Sequence, residues 1–290
     1  MRELSVILVN MIAAGTPILY ALLGDMVSQR AGVISLSVEG SMLVGACIGF
    51  GVAMLAGGLV GLIQAFLVID RKTNMMASGF VLMFLAQGLT AFYGRNLLGV
   101  TFRKSLTYAI PGLCKLPLIG SALFNQDILT YLSFLLPVIV WWILTKTRLG
   151  LLVCSVGEQP EVTRAYGYNP RLLQYGAVVF AGVLAGIGGA QMSCIYTLGW
   201  ANDMINGRGF IASALVILCS WKPLRAYMAA YLFGLAQALI VYLQVKGVAI
   251  SMYFTMMLPY LLTLAALAVI STSKKPSMPE KIKVVSTGME

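Results

Sequence analysis

Histidine is absent from all 290 residues, and with it goes the commonest general base and metal ligand. Hydrolases of the Ser-His-Asp kind are excluded. Charge is scarce: Asp, Glu, Lys and Arg make up 10% of the chain, against about a quarter in an ordinary soluble protein. Cysteine is sparse and scattered. Cys47, Cys114, Cys154, Cys194 and Cys219 show no CxxC spacing and read as small buried hydrophobes or lone thiols, not a disulfide frame or a zinc site. A phosphate-cradling loop is missing as well. The nearest match to G-x-x-x-x-G-K-[ST], Gly94 to Thr101, lacks the lysine, so this chain does not bind ATP by that device.

What is present is apolar. Hydrophobic residues make up 59% of the chain, about 171 side chains. A bilayer-spanning helix needs roughly 20 mostly apolar residues; counting the 30 glycines as well, the chain has room for at most about ten spans. The fold class is an all-α polytopic membrane protein. Apolar runs at about 4–23, 33–50, 51–69, 76–93, 128–145, 173–195, 210–221, 226–245 and 253–271 predict about nine membrane segments, within eight to ten. The first run continues into Gly24-Asp25 without a small-residue cleavage site and is read as a retained span, not a signal peptide.

The formal charge of +10 sets orientation by the positive-inside bias. Placing the break from Lys146 to Arg171 in the cytoplasm puts thirteen of the 20 Lys and Arg residues inside and seven outside. Residues 1–271 then form the transmembrane domain, with a cytoplasmic loop at 146–171 and an outer loop at 94–127. The N-terminus is outside, and 272–290 is a cytoplasmic tail carrying Lys274, Lys275, Lys281 and Lys283. No basic patch with interleaved aromatics appears, so the partner is membrane lipid and not nucleic acid.

Two segments are irregular. Ala31 to Ser41 carries small polar residues and a carboxylate, a pattern tolerated at membrane depth only where backbone is buried in protein or lines a cavity. Phe210 to Trp221, about 12 residues, is short for a span of about 30 Å, and discontinuous helices often mark a solute path. The spacings Gly45-x-x-x-Gly49, Gly57-x-x-x-Gly61 and Gly182-x-x-x-Gly186 predict close helix approach within the chain rather than a dimer seam.

Intramembrane ionisable groups carry function or are paired. Glu39 is the carboxylate that falls well within a predicted span; Asp25, Asp70, Asp127 and Asp203 fall at or beyond segment ends. Glu39 has three readings: solute contact, structural pairing with Arg30 or another cation, and proton relay. In the 146–171 break, Gln159-Pro160 opens a short helix and Gly167 closes it. Such a helix is either a docking element or a plain linker.

Four blocks in chain order resemble a known family. They are Thr16-Pro17 through Ala31-Gly32-Val33-Ile34-Ser35-Leu36-Ser37-Val38-Glu39-Gly40, similar to R-x-G-V-x-N-L-G-V-E-G; Gly157-Glu158-Gln159-Pro160 to Ala165-Tyr166-Gly167; Phe180 to Ala190; and Asn206-Gly207-Arg208-Gly209-Phe210-Ile211-Ala212 with Trp221-Lys222-Pro223-Leu224. Together they span most of the chain. The set resembles the permease subunits of bacterial ATP-binding-cassette (ABC) importers for branched-chain amino acids, simple sugars and nucleosides, and looks most like the shorter permease of purine-nucleoside importers. Ser35 and Ser37 stand where the family pattern has Asn and Gly, and Gln159 where it has Asn.

The resemblance implies a bacterial inner-membrane transport subunit without an ATPase site, and no cofactor in this chain, with ATP-Mg held by partner ATPase subunits. It implies a second permease subunit in a heterodimer and an extracytoplasmic substrate-binding lipoprotein. It makes Gly157, Glu158, Gln159, Pro160, Ala165 and Gly167 a coupling element seated on the ATPase. Ser37, Glu39, Ser41, Asn206 and Arg208 are expected along the substrate pathway, although Arg208 also reads as an interfacial anchor. A permease for a simple sugar or branched-chain amino acid is the alternative. A single-chain ion-coupled carrier and a lipid-modifying enzyme are the readings from other classes, the enzyme disfavoured by scattered carboxylates and no histidine.

Overall fold

The computed structural model describes residues 2–101, 107–109 and 125–246, and six single positions between 257 and 268. Apart from those six positions, the expected segment at 253–271 lies outside the described residues, as do most of the 94–127 loop with Cys114 and the tail from 272.

The helices in chain order are α1 (Arg2–Arg30), α2 (Val38–Ile48), α3 (Phe50–Ala65), α4 (Met75–Tyr93), α5 (Ile128–Lys146), α6 (Arg148–Glu158), α7 (Pro160–Ala165), α8 (Pro170–Gln191), α9 (Arg208–Leu218) and α10 (Ala226–Val245). A π-turn extends α3 through Phe66–Asp70 and another extends α8 through Met192–Tyr196. Two three-residue strands, β1 (Thr107–Ala109) and β2 (Asn125–Asp127), pair antiparallel with Thr107 opposite Asp127. Among the described residues, six helical runs are long and apolar enough to cross a membrane: Glu3–Arg30, Val52–Asp70, Met75–Leu97, Ile128–Lys146, Pro170–Tyr196 and Pro223–Val245. Two shorter apolar helices, α2 and α9, accompany them. The architecture is that of a polytopic membrane protein.

Local chemistry explains the boundaries. Asn74 accepts from the Met76 and Ala77 amides at the start of α4, and Asp127 accepts from the Thr130 amide at the start of α5. Both follow the N-cap rule. Helix α1 is apolar on all sides and runs through the core, with Ile18, Leu19, Leu22, Leu23 and Met26 fully buried, as expected of a helix surrounded by protein. It packs on α8 and α10.

Helix α8 lies against α2 and α3 through glycines. A Cβ at Gly57 would strike the Gly182 carbonyl, one at Gly182 the Gly57 carbonyl, one at Gly186 the Ala53 carbonyl, and one at Gly189 the Met42 carbonyl. The expected glycine spacings are therefore intramolecular seams, where missing side chains let backbones touch.

The structure departs from the sequence reading in three places. Helix α1 does not end near Leu23 but continues to Arg30, and Asp25, Ser28 and Gln29 are buried inside it. Most of their polar atoms find partners: Gln29 Nε2 donates to Asp25 Oδ2 at 2.8 Å, and Ser28 Oγ donates to the Val33 carbonyl at 2.8 Å. Buried polar groups persist when satisfied in this way. The 146–171 break contains an additional helix, α6, capped by Thr147, which accepts from the Gly150 amide. Arg30 does not pair with Glu39; it donates to the Trp221 carbonyl at 2.9 Å.

Contacts sort the loops to two ends. At one end Arg30 meets Trp221, Gln174 donates to the Ala31 carbonyl, Tyr175 donates to Asp70 at 2.5 Å, and Gly157 packs on the Arg30 carbonyl. At the other, Leu98 bridges to Trp200 and Thr101 to Gly199, and Lys246 pairs with Glu3.

Candidate functional site

Helices α2 and α9 have 11 residues each, about 16 Å at 1.5 Å per residue and half of a hydrocarbon core of about 30 Å. Their N-termini meet. Glu39, in the first turn of α2 and 2% exposed, accepts from the Gly207 amide with Oε1 at 2.8 Å and from the Gly209 amide with Oε2 at 2.5 Å. The first amides of a helix have no intrahelical acceptor, and a carboxylate there also meets the positive end of the helix dipole. Glu39 thus sits at the N-terminal ends of two half-helices.

The flanking glycines permit the approach. Gly207 is left-handed at φ +79° and precedes α9. A Cβ at Gly209 would lie 2.6 Å from both Glu39 Cα and Glu39 Oε2, so no other residue fits without moving the clamp. The loop before it is tightly wound, with Leu198, Asp203 and Asn206 also at positive φ.

The other expected pathway residues differ in setting. Ser37 and Ser41 are buried. Ser37 Oγ lies 3.0 Å from Ser35 Oγ, and Ser41 Oγ donates to the Gly57 carbonyl at 3.3 Å. Asn206 is exposed and its carbonyl accepts from Tyr260 Oη at 3.1 Å. Arg208 is half-buried, within 3.0 Å of Met192 Sδ and over the Tyr196 ring at 6.0 Å. Along α9 runs a largely apolar groove of about 370 Å³, lined by Gly207, Phe210, Ile211, Ala214, Leu218 and Tyr260 among others. Phe210 and Phe80 hold their rings 5.4 Å apart.

The far end of α9 is strapped to α1. Trp221 is fully buried; its Nε1 donates to Gln29 Oε1 at 2.9 Å, and Gln29 in turn donates to Asp25. Asp25 Oδ1 is buried without a hydrogen-bond partner. Asp25 and Gln29 were invisible as interior residues in the sequence because they flank a run of charged and polar residues. The signal that could have revealed them is their i, i+4 spacing on a continuing helical face.

At the Arg30 end, α7 has Gln159 as N-cap, Pro160 at its first position and Gly167 at φ +82° beyond its end. Gly157 is buried against α1, and Thr163 is buried with its hydroxyl 3.2 Å from Ser155 Oγ. Pro160 is half-buried. Glu158, Gln159, Ala165 and Gly167 are exposed, and beside them stand Val162 and Tyr166, the latter 76% exposed. These two apolar side chains form a protruding tip that the residue-by-residue motif did not single out.

Among the described residues no group of His, Cys, Asp and Glu could hold a metal ion. Residues 7–267 match the family described as branched-chain amino acid transport system / permease component, and the chain belongs to that family. It is an ABC transporter permease subunit. It is 32% identical over 295 residues to the guanosine ABC transporter permease NupQ of Bacillus subtilis, covering 91% of each chain. It is 30% identical over 294 residues to the nucleoside ABC transporter permease NupC of Lactococcus lactis, covering 92% of each. It is 39% identical over 245 residues to the candidate glucose ABC transporter permease TsgC13 of Haloferax volcanii, covering 79% of this chain and 74% of that one. No solved structure matches.

Proposed function

We propose that this chain is one permease subunit of an ATP-driven nucleoside importer in the bacterial cytoplasmic membrane. It would pair with a second permease, be powered by separate ATPase subunits that hold ATP-Mg, and be supplied by an extracytoplasmic binding lipoprotein. The observation that carries the reading is the convergence of the α2 and α9 N-termini on Glu39. Paired half-helices ending inside a bundle are a recurrent setting for solute paths. Rigid-body repacking driven by a partner asks for no catalytic group here.

In this reading the end carrying Arg30, Asp70, the 146–171 stretch and Trp221 faces the cytoplasm. The exposed α7 tip, with Val162, Ala165 and Tyr166, seats on the ATPase. Glu39, Asn206 and Arg208 adjoin Gly207 at the groove along α9, where Phe210, backed by Phe80, offers an aromatic face to a base while amide and hydroxyl groups suit ribose hydroxyls. About nine segments are expected, the ninth in 253–271, with the N-terminus outside. The 39% identity to a candidate glucose permease favours a second reading, in which the solute is a hexose.

Uptake into cells expressing the complete transporter tests both. Saturable guanosine uptake that disappears when the phosphate-loop lysine of the ATPase is changed is expected. Saturable glucose uptake with no guanosine competition selects the second reading. Uptake by this chain alone that collapses with an uncoupler would overturn the importer.

A further inference from the structure

The ends of α1 and α5, the middle of α6 and the turn after α9 border a cavity of about 470 Å³ whose charged lining, among the described residues, is wholly cationic: Arg30, Lys222 and Arg225 face it, and no carboxylate does. Arg30 gives one terminal N–H to the Trp221 carbonyl, but its Nε is buried without a partner. Lys222 and Arg225 are exposed and, among the described residues, form no ion pair. Three like charges around one space repel each other and favour an anion between them. An arginine fork with an unused N–H matches phosphate oxygens.

The rest of the wall is mostly apolar, with Thr145 as its one neutral hydroxyl. Trp141, Leu144 and Trp221 line it, and the cavity sits at the last turns of α5, whose outward Leu135, Ile139 and Trp142 are exposed. An apolar helix face leading to a basic pocket with tryptophans is the pattern of a headgroup-level site in a membrane chain. The volume falls in the range of small-ligand pockets.

We propose that this cavity binds the phosphate of an anionic lipid such as phosphatidylglycerol, with its acyl chains along the exposed face of α5. The proposal rests on the membrane reading and is independent of the solute. Occupation would brace Trp221, the strap between α9 and α1, so the lipid would tune the half-helix that meets Glu39.

The test uses the full-length chain in phosphatidylcholine vesicles with bromine-labelled lipids, read by tryptophan fluorescence. Trp141 and Trp221 line the cavity and Trp142 adjoins it, whereas Trp200 lies at the other end. Brominated phosphatidylglycerol is expected to quench more than brominated phosphatidylcholine at equal mole fraction. The exposed-site double variant K222Q/R225Q should lose that excess, the relative affinity falling about fivefold for each cation removed, and K222R/R225K should keep it. Equal quenching by the two lipids, or an excess unchanged in K222Q/R225Q, would overturn the site. Displacement by inorganic phosphate would overturn the lipid as its source. Loss of the excess on adding the ATPase subunit would assign the cavity to acidic side chains of that partner and also overturn the proposal.

Discussion

The Glu39 carboxylate accepts the Gly209 amide at 2.5 Å, and that single contact joins the start of α2 to the start of α9, 170 residues apart in sequence. With Gly207 on the second oxygen, Glu39 closes a gap that would otherwise leave two half-helices facing each other with unfilled amides. The same residue therefore ties α2 to Gly207, which lines the groove along α9.

Replacing Glu39 by Gln retains the size of the side chain but turns one acceptor into a donor aimed at an amide. One of the Gly207 and Gly209 amides loses its partner, at about 1–3 kcal/mol. The expected outcome is a lower melting temperature for the detergent-solubilised protein and reduced uptake by the assembled transporter. Wild-type melting and wild-type uptake together would remove Glu39 from both roles.

The glycine seam makes an independent prediction. Gly57→Val and Gly182→Val each drive a side chain into the opposing backbone, and overpacking of this kind costs about 1–3 kcal/mol. Gly88→Val is the control, since nothing lies within 4 Å of a Cβ there. The first two should fall in yield and melting temperature while the third stays near wild type.

Trp221→Phe keeps one aromatic ring at this buried position but removes the pyrrole half of the indole with the N–H bound to Gln29. The orphaned Gln29 oxygen should cost about 1–3 kcal/mol, seen as easier thermal unfolding. Uptake should fall further than in a conservative change at the exposed Leu224. Equal effects at the two positions would argue against the strap.

The tip of α7 is tested by Tyr166→Ala and Ala165→Glu. Both positions are exposed, so the fold should persist while ATP hydrolysis and transport part company in the assembled complex. Gly157 is unsuitable for that test because a side chain there strikes α1. Hydrolysis that stays coupled in both variants would place the ATPase contact elsewhere.

In α6, burial pushes the Cys154 thiol above its ordinary range. The thiolate is the reactive form, so at neutral pH a variant retaining only this cysteine should react with maleimide more slowly than a free thiol. The rate should keep rising with pH beyond the point where an ordinary cysteine levels off. A plateau at the usual cysteine pKa of about 8.5 would contradict the burial seen here.

The apolar runs alone marked six long spans and both short ones, because one feature, about 20 apolar residues in sequence, reports on the solvent around a segment. The α7 boundaries were legible for a comparable reason: Pro160 and Gly167 act locally through a missing amide and a left-handed φ. Asp25 was not legible. A carboxylate next to Gln29 and Arg30 looks like a helix end until the fold shows Gln29 donating to it and Trp221, 192 residues beyond Gln29, donating to Gln29 in turn.

Sequence by itself determined the compartment, the helical class and the family of this protein, since each follows from composition or from short motifs that need no partner. Only the tertiary structure decided what Glu39, Asp25 and the glycines touch. Hydrogen-bond geometry and backbone contact depend on which distant segments meet. The α2 and α9 N-termini meet at Glu39 because Gly209 carries no side chain to hold the two backbones apart, leaving its amide within reach of the carboxylate.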